Sequence, residues 1–335
     1  MSSVTGLQLL NRVLAFRRQP PVSAYSATDP EHVVTLNAIN MAKEDILGTR
    51  RWEFDLRHDG QLATKATALS RDLVVSFVWS SGLTASTLTV PTTILEDETI
   101  GDHVLRVVPK DDADYSDTAF RVLTVSAAGD TGTAVLSINS PKTIVSAAAD
   151  LVYAEYLLPD TVREVVRASF DQSELSLEQL DPTVEFSECI PSPHLESGRP
   201  RVFSVGGYDR GTYQASASVP DPKLRAIVWP VPDDEYVISY SYYYRHADLT
   251  SGTDTWTGIP SDVINDIVWQ ATSIVKMAVD GDYAASHFAD MAQSQASAKH
   301  MAYSGSSGRR HTVGSWDTGG SFNSLREGFP GKLIG

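Results

Sequence analysis

Residues 111–117 (DDADYSD) have a spacing close to that of a metal-binding loop. Asp112, Asp114 and Ser116 stand where a calcium loop has its first, third and fifth positions. The glycine expected at the sixth position is absent, and Leu123 stands where such a loop needs a bidentate glutamate. We therefore expect an acidic turn between two strands, with a calcium site as the minor alternative.

Other residue types that bind metals or carry catalysis are dispersed. The eight histidines include no His-x-x-x-His pair, and Cys189 is the only cysteine, so the sequence contains no zinc-ligand set. A serine nucleophile needs a Gly-x-Ser-x-Gly elbow after a buried strand, whereas SGSSG at 304–308 lies in a glycine-rich segment. VGGYDRG at 205–211 follows a strand, but no helix pattern follows it, so we expect no phosphate cradle. We predict no enzymatic activity, no metal and no cofactor.

An aromatic strand allows two interpretations. In YVISYSYYYRH at 236–246, alternation places Tyr236, Tyr240, Tyr242 and Tyr244 on one face. Such a face could bind a sugar, or it could pack on the core with the opposite face in a subunit interface, where tyrosine is common. We favour packing.

Composition limits the class of protein. The chain has 335 residues, of which 42% are apolar and 21% are charged, and this mix is typical of globular domains. A net charge of -15 argues against a protein that grips nucleic-acid phosphates. The N-terminal segment lacks the pattern of a signal peptide, and no apolar run is long enough to cross a bilayer. We expect a soluble protein that folds in a cytoplasm.

Helical patterns lie at the two ends of the chain. Residues 5–18 place leucines on one face, and a second helix begins at TDPE, where Thr28 and Glu31 have capping-box spacing, and ends at Gly48. A later helix is broken by Gly281, and Asp282 could cap an alanine-rich helix that runs to about residue 303. The later apolar stripe consists of Ile264, Ile267, Val268, Ala271, Ile274, Val275 and Ala278.

From about residue 61 to 249 apolar and polar residues alternate, and β-branched residues are frequent, as is typical of strands. Gly-Asp-Thr-Gly at 129–132 predicts a hairpin turn. We also predict a hairpin over 224–245, with its turn confined by Pro230 and Pro232.

These patterns predict an α+β fold in which the N- and C-terminal helices form a helical bundle around a β-rich middle, a sandwich or barrel, with an inserted second β domain. The expected segments are 1–60 (N-terminal helices), 61–150 (inserted β domain), 151–249 (β domain), 250–303 (C-terminal helices) and 304–335 (extended tail).

A series of short motifs occurs in a fixed order. The N-terminal part contains LQLLNRVLAF, VVTLNAINMAKEDIL and RRWEF; the later part contains LPDTVREV, SGRPRVFSV, LRAIVWPVPDDEYVISYSYYYR and IPSDVINDIVWQATSIVKMAVDGDY. In this order they resemble the head-to-tail adaptor (connector) proteins of tailed bacteriophages, including the tail tubular protein A type of short-tailed phages. The resemblance covers residues 1–60 and 151–303. Residues 61–150 depart from it, because shorter members pass almost directly from the tryptophan after the second helix to the Leu-Pro strand.

The resemblance implies a virion structural protein at the head–tail junction, made in the host cytoplasm. It implies a ring of twelve subunits beneath the portal, with a tail nozzle or tail tube protein on the distal side. The helices would form the channel wall and the β domain the outer body. Genome DNA would pass through without specific binding, since an acidic channel repels phosphates. No membrane partner is expected.

The last segment, residues 304–335, combines eight glycines with spaced apolar residues. Four basic residues against Asp317 and Glu327 give it a net charge of +2. We predict that it docks on the portal and orders on binding, because a solvated linker needs no large apolar anchors. The alternative is a disordered chain end. The predicted docking residues are Arg309, Arg310, Trp316, Phe322, Leu325, Arg326 and Phe329.

Two other classes of function stay open at this stage. One is a carbohydrate-binding tail or baseplate accessory protein that uses the aromatic strand. The other is an enzyme, such as a hydrolase, with an unfamiliar site. A ring of near-twelvefold symmetry in electron micrographs would favour the adaptor, and a glycan-binding monomer or trimer would favour the first alternative.

Overall fold

The chain folds into two compact units. One combines Met1–Phe54 with Asp248–Gly335 and is called the helical unit; the other is Asp55–Ala247 and is called the β unit. The described part of the chain contains four α-helices and three sheets, which confirms the α+β class. The computed structural model describes residues 3–66, 73–78, 87–91, 102–109, 120–128, 131–136, 144–170, 177–179, 190, 196–214 and 218–305.

The first two helices begin at side-chain caps. Helix α1 (Gly6–Phe16) starts with a capping box, in which Thr5 and Gln8 each accept a hydrogen bond from the other's backbone N–H. Helix α2 (Pro30–Lys43) continues into a π-helical turn (Glu44–Gly48), and Gly48 ends the helical run as predicted. The predicted cap at Thr28 is wrong, because Asp29 accepts the hydrogen bond from the Glu31 N–H at 2.9 Å. An aspartate directly before a proline at the first helical position provides the same cap one residue later.

The last two helices are separated by the predicted break. Helix α3 (Ser261–Val275) follows Pro260 and ends in a π-helical turn (Lys276–Asp280). Gly281 adopts a left-handed conformation with φ of +64°, which confirms it as the stop. A 3-10 turn (Tyr283–Ala285) leads into helix α4 (Ser286–Gly305), and the side chain of Asp282 makes no capping hydrogen bond.

The strands form one small sheet in the helical unit and two sheets in the β unit. In chain order they are β1 (Ser3–Thr5), β2 (Leu56–Ala63), β3 (Leu73–Val78), β4 (Thr87–Pro91), β5 (His103–Pro109), β6 (Phe120–Ala128), β7 (Thr131–Leu136), β8 (Ile144–Leu157), β9 (Val162–Phe170), β10 (Val202–Asp209), β11 (Tyr213–Gln214), β12 (Lys223–Trp229), β13 (Val237–Tyr244) and β14 (Thr255–Thr257). The helical unit contains the pair β1-β14, and the β unit contains a three-stranded sheet, β2-β13-β9, and a nine-stranded sheet.

Part of the nine-stranded sheet closes on itself. Strands β8, β3, β4, β7, β6 and β5 pair in that order, and β5 pairs with β8 again to complete the circuit. Strands β6 and β7 pair antiparallel with Ala128 opposite Thr131, which confirms the hairpin predicted at 129–132. The long strand β8 also pairs with β12 through its last residues. The predicted domain boundary at residue 150 therefore falls inside β8, and strands from both predicted β segments share one sheet.

The hairpin predicted over 224–245 is wrong. Its two strands exist, but β12 pairs with β10 and β8, whereas β13 pairs with β2 and β9 in the other sheet. Residues from both strands, including Val228 and Ile238, enter one apolar cluster, so the strands contribute to the same core from two sheets. Pairing partners are set by long-range packing, which the two prolines in the connection do not reveal.

The helical unit is organised around one apolar cluster that draws on all four helices. It includes Leu9 of α1, Ile39 of α2 and Ile267 of α3, each fully buried. Strands β1 and β14 pair with Val4 opposite Trp256, so the N-terminal strand is aligned with the segment before α3. Residues about 200 positions apart in sequence thus form a single core.

The core of the β unit leaves no room for a side chain at Gly60. A Cβ added there would lie 2.4–2.7 Å from ring atoms of Tyr240, which is itself buried in the core. Gly60 on β2 is directly opposite Tyr240 on β13, so the ring covers the glycine backbone. The tyrosine ring therefore takes the place of a cross-strand side chain.

We expect Gly60→Ala to destabilise the protein by about 2 kcal/mol, because the added methyl group must displace a buried ring. Urea unfolding followed by circular dichroism measures the change. Gly198→Ala is the matched control, since its nearest neighbour would be 4.0 Å from the new Cβ. Equal midpoints for the two variants would contradict the predicted clash.

Candidate functional site

The predicted portal-docking residues lie outside the described residues. This applies to Arg309, Arg310, Trp316, Phe322, Leu325, Arg326 and Phe329. The calcium-like residues Asp112, Asp114 and Ser116 also lie outside them. The docking segment therefore stays a prediction, and the described part of the molecule bears on the helix that precedes it.

The aromatic strand packs inwards. Tyr240 is 3% exposed and lies in the apolar cluster of the β unit, and Tyr236 and Tyr242 pack against the same cluster. Burial raises the pKa of Tyr240 to about 12. Tyr240 is thus covered by the protein's own side chains, whereas Tyr236, Tyr242 and Tyr244 on the same face are half-buried.

The VGGYDRG segment ends in an ion pair. Asp209 accepts hydrogen bonds from both terminal nitrogens of Arg121 on β6 and from the Gly211 N–H. Burial alone would raise the pKa of Asp209, but the hydrogen bonds from Arg121 and Gly211 outweigh it and hold the pKa below its ordinary value. Gly211, with a positive φ, thus allows a turn in which its backbone N–H reaches the carboxylate of Asp209.

A second buried carboxylate lies on β8. Glu155 pairs with Arg106 on β5 through one oxygen and with Arg225 on β12 through the other, the latter at 3.1 Å. Its neighbours come from the two strands that flank it. A buried carboxylate is costly unless a cation pairs with it, and here two arginines do so.

A histidine–carboxylate pair occurs where the chain enters and leaves the β unit. His246 Nε2 lies 2.9 Å from Asp55 Oδ1, and Tyr244 packs edge-on against the imidazole. Such pairs orient the base in hydrolases. Here the side chains are only 4% and 1% exposed, so a substrate cannot reach the imidazole, and the pair serves to hold the two segments together.

The charged groups most relevant to the predicted tail lie between α3 and α4. Lys299 of α4 donates to both oxygens of Asp266, at 2.8 and 2.7 Å, and to the Asp262 carbonyl at 2.8 Å. Asp266 is fully buried on α3, whose buried residues are mainly apolar but also include Gln270, Thr272 and Ser273. Burial raises the pKa of Asp266, and the hydrogen bonds from Lys299 offset this only in part.

Further polar contacts hold α4 to the segment after α2. Arg50 donates to the Gln293 Oε1 at 3.0 Å and to the Ser297 Oγ at 2.9 Å. His300 donates to the Arg51 carbonyl at 2.9 Å, and its ring packs edge-on against Trp52. Together with Lys299 these residues form the base of α4, the helix that precedes the predicted docking segment.

Sequence reasoning missed the base of α4. The available signal was a lone lysine in a nearly uncharged, alanine-rich helix and two aspartates, Asp262 and Asp266, beside an apolar stripe. A buried charge needs a partner, so a charged residue among apolar ones predicts an ion pair without identifying the partner.

Among the described residues, no three His, Cys, Asp or Glu side chains are placed to hold a metal ion. Within the same part of the chain, no helix has the length and apolar character that a membrane span requires. No protein-family model matches this sequence, and a comparison with curated proteins finds no significant match.

We expect Arg121→Met to destabilise the β unit by about 3 kcal/mol at neutral pH, because it leaves the buried Asp209 without its cation. Since the folded pKa of Asp209 is depressed, the pair stabilises above the unfolded pKa, about 3.9, and loses its effect as the pH falls through the folded pKa. The difference from wild type should therefore shrink in acid.

Urea unfolding at pH 7 and at about pH 3 tests this expectation. Lys223→Met is the matched control, because among the described residues Lys223 forms a 3.5 Å surface pair with the exposed Asp102, and its loss should change stability by less than about 0.5 kcal/mol. A loss for Arg121→Met that is the same at both pH values would contradict the assignment.

Proposed function

We propose that this protein is the head-to-tail adaptor of a tailed bacteriophage. In this role it forms a ring of about twelve subunits between the portal and the tail. The portal lies on one side, a tail nozzle or tail tube protein on the other, and genome DNA passes through the channel without being bound specifically.

The observation that carries the proposal is the joint packing of the motifs at the two ends of the chain. LQLLNRVLAF is the body of α1, VVTLNAINMAKEDIL covers most of α2 with its π-helical turn, and the motif that begins at Ile259 contains α3. All three enter one apolar cluster. Motifs matched only by their order in the sequence are thus neighbours in space, as expected if they build one element of an adaptor.

The finer architecture follows from this assignment. We propose that α1–α4 form the helical bundle that lines the channel. The closed circuit of β3–β8 corresponds to the inserted β domain on the outside of the ring. Strand β8 belongs to this circuit and also pairs with β12, so it would attach the inserted domain to the rest of the β unit.

The charge of the chain also supports the proposal. The net charge of -15 suits a channel through which phosphates must slide.

The predicted docking segment provides the direct test. Truncation after Tyr303 should leave both units folded and abolish the complex with purified portal. Trp316→Ala combined with Phe322→Ala should weaken the complex nearly as much, because a few buried aromatic anchors dominate such interfaces. Their effect is multiplied around a ring by avidity. The joint complex is measured by size-exclusion chromatography and electron microscopy.

Ser321→Ala with Asn323→Ala is the matched control, since it changes two neighbouring positions without removing an apolar anchor. If the truncated protein assembles normally, the segment is a disordered end and not a docking arm. If the full chain instead binds glycans as a monomer or trimer and ignores the portal, the adaptor function is wrong.

We further expect the isolated protein to be mainly monomeric or weakly associated at micromolar concentration, because the docking segment has no receptor in solution. Multi-angle light scattering measures its mass with and without portal. A stable dodecamer of the purified protein alone would contradict this expectation.

A further inference from the structure

Helices α3 and α4 are attached to the helical unit in different ways. Ten of the fifteen residues of α3 are buried, among them Val263, Ile267 and Val268. Of the α4 residues whose side chains the structure describes, only Ala292 and Ala296 are buried. Hydrophobic stabilisation scales with the apolar area removed from water, so α4 gains far less from packing than α3 does.

Polar contacts also hold α4 to the helical unit. They are the pairing of Lys299 with Asp266, the hydrogen bonds of Arg50 to α4, and the bond from His300 to the chain before it. When such contacts separate, water replaces each of them, and a buried carboxylate regains its hydration. Separation of these groups therefore costs less than exposing an apolar face of the same size.

The connection between α3 and α4 allows movement. Residues 278–284 are all exposed. Gly281, in the middle, has a φ of +64°, and a Cβ added there would have no neighbour within 4 Å. Asp280 accepts hydrogen bonds from Arg17 of α1, so the freedom to change backbone angles is confined to residues 281–284. These exposed residues can act as a hinge.

We infer that α4 opens as a unit of its own while α1, α2 and α3 stay folded, with the Lys299–Asp266 pair as its latch. Residues 306–335 follow α4 directly. If the proposed function holds, the open state lengthens the tether of the docking segment by up to the length of the helix, about 30 Å. Only this consequence depends on the adaptor function; the opening is a property of the isolated chain.

Hydrogen–deuterium exchange of the full-length protein, read by mass spectrometry, tests the opening. Peptides from 289–301 should exchange at least about 100-fold faster than peptides from 264–275, because they exchange through a local opening rather than through global unfolding. Equal protection of the two segments, both tracking global stability, would overturn the inference.

Two variants test the latch. Lys299→Met leaves a buried carboxylate without its cation and should accelerate exchange in α4 about tenfold or more, with α3 unchanged. Lys299→Met combined with Asp266→Leu replaces the pair by apolar groups and should slow exchange in α4 to the wild-type rate or below. Lys223→Met, which removes a lysine from a surface pair in the β unit, should change neither helix.

The latch is wrong if Lys299→Met accelerates α3 as much as α4, or if the double variant exchanges as fast as the single one. Should Lys299→Met fail to fold, the wild-type comparison and the double variant still decide the matter. The exchange experiment uses the isolated protein and the adaptor test uses purified portal, so either proposal can fail without the other.

Discussion

The apolar cluster that α3 closes with α1 and α2 is the contact on which the helical unit depends. It joins chain segments about 200 residues apart, so neither end can bury its apolar face without the other. Hydrophobic burial is not directional, and the alignment must come from elsewhere. The pairing of β1 with β14 provides it, and at Gly6 a Cβ would lie 2.5 Å from the Ser251 carbonyl oxygen. That glycine therefore permits the close approach from which α1 starts.

The β unit uses buried charge in the same aligning role. Asp209 and Glu155 each lie among strands that are already held by backbone ladders, and arginines neutralise them. The partners of Glu155 lie on the strands that pair with β8, whereas Arg121 lies on β6, which among the described strands does not pair with β10. A buried ion pair adds little net stability, because desolvation offsets the attraction, but an arrangement that separates the partners is strongly disfavoured. The pairs of Glu155 thus disfavour a shifted register of β8 against its neighbours β5 and β12.

The pair Lys299–Asp266 has the same chemistry in a different setting. Around Asp209 the strand ladders persist if the pair separates, whereas α4 has only two small apolar residues buried among its described side chains. The stability of a helix against local opening depends on how much apolar area the opening exposes. The inferred opening of α4 from the other three helices suits the proposed adaptor, whose ring would be kept while its docking segment finds a partner.

Local signals in the sequence determined α1, α3, the stop at Gly281 and the hairpin between β6 and β7, because periodicity and turn residues act over a few positions. Tertiary structure decided the rest. Asp29 and Thr28 both suit a helix cap, and Asp29, directly before Pro30, is the residue that caps α2. Strands β12 and β13 entered different sheets, and the partners Lys299 and Asp266 are 33 residues apart. The anchors of the docking segment stay predictions of the sequence. Which strand pairs with which, and which charge meets which, depends on contacts between distant segments, and these exist only once the apolar cores have brought the segments together.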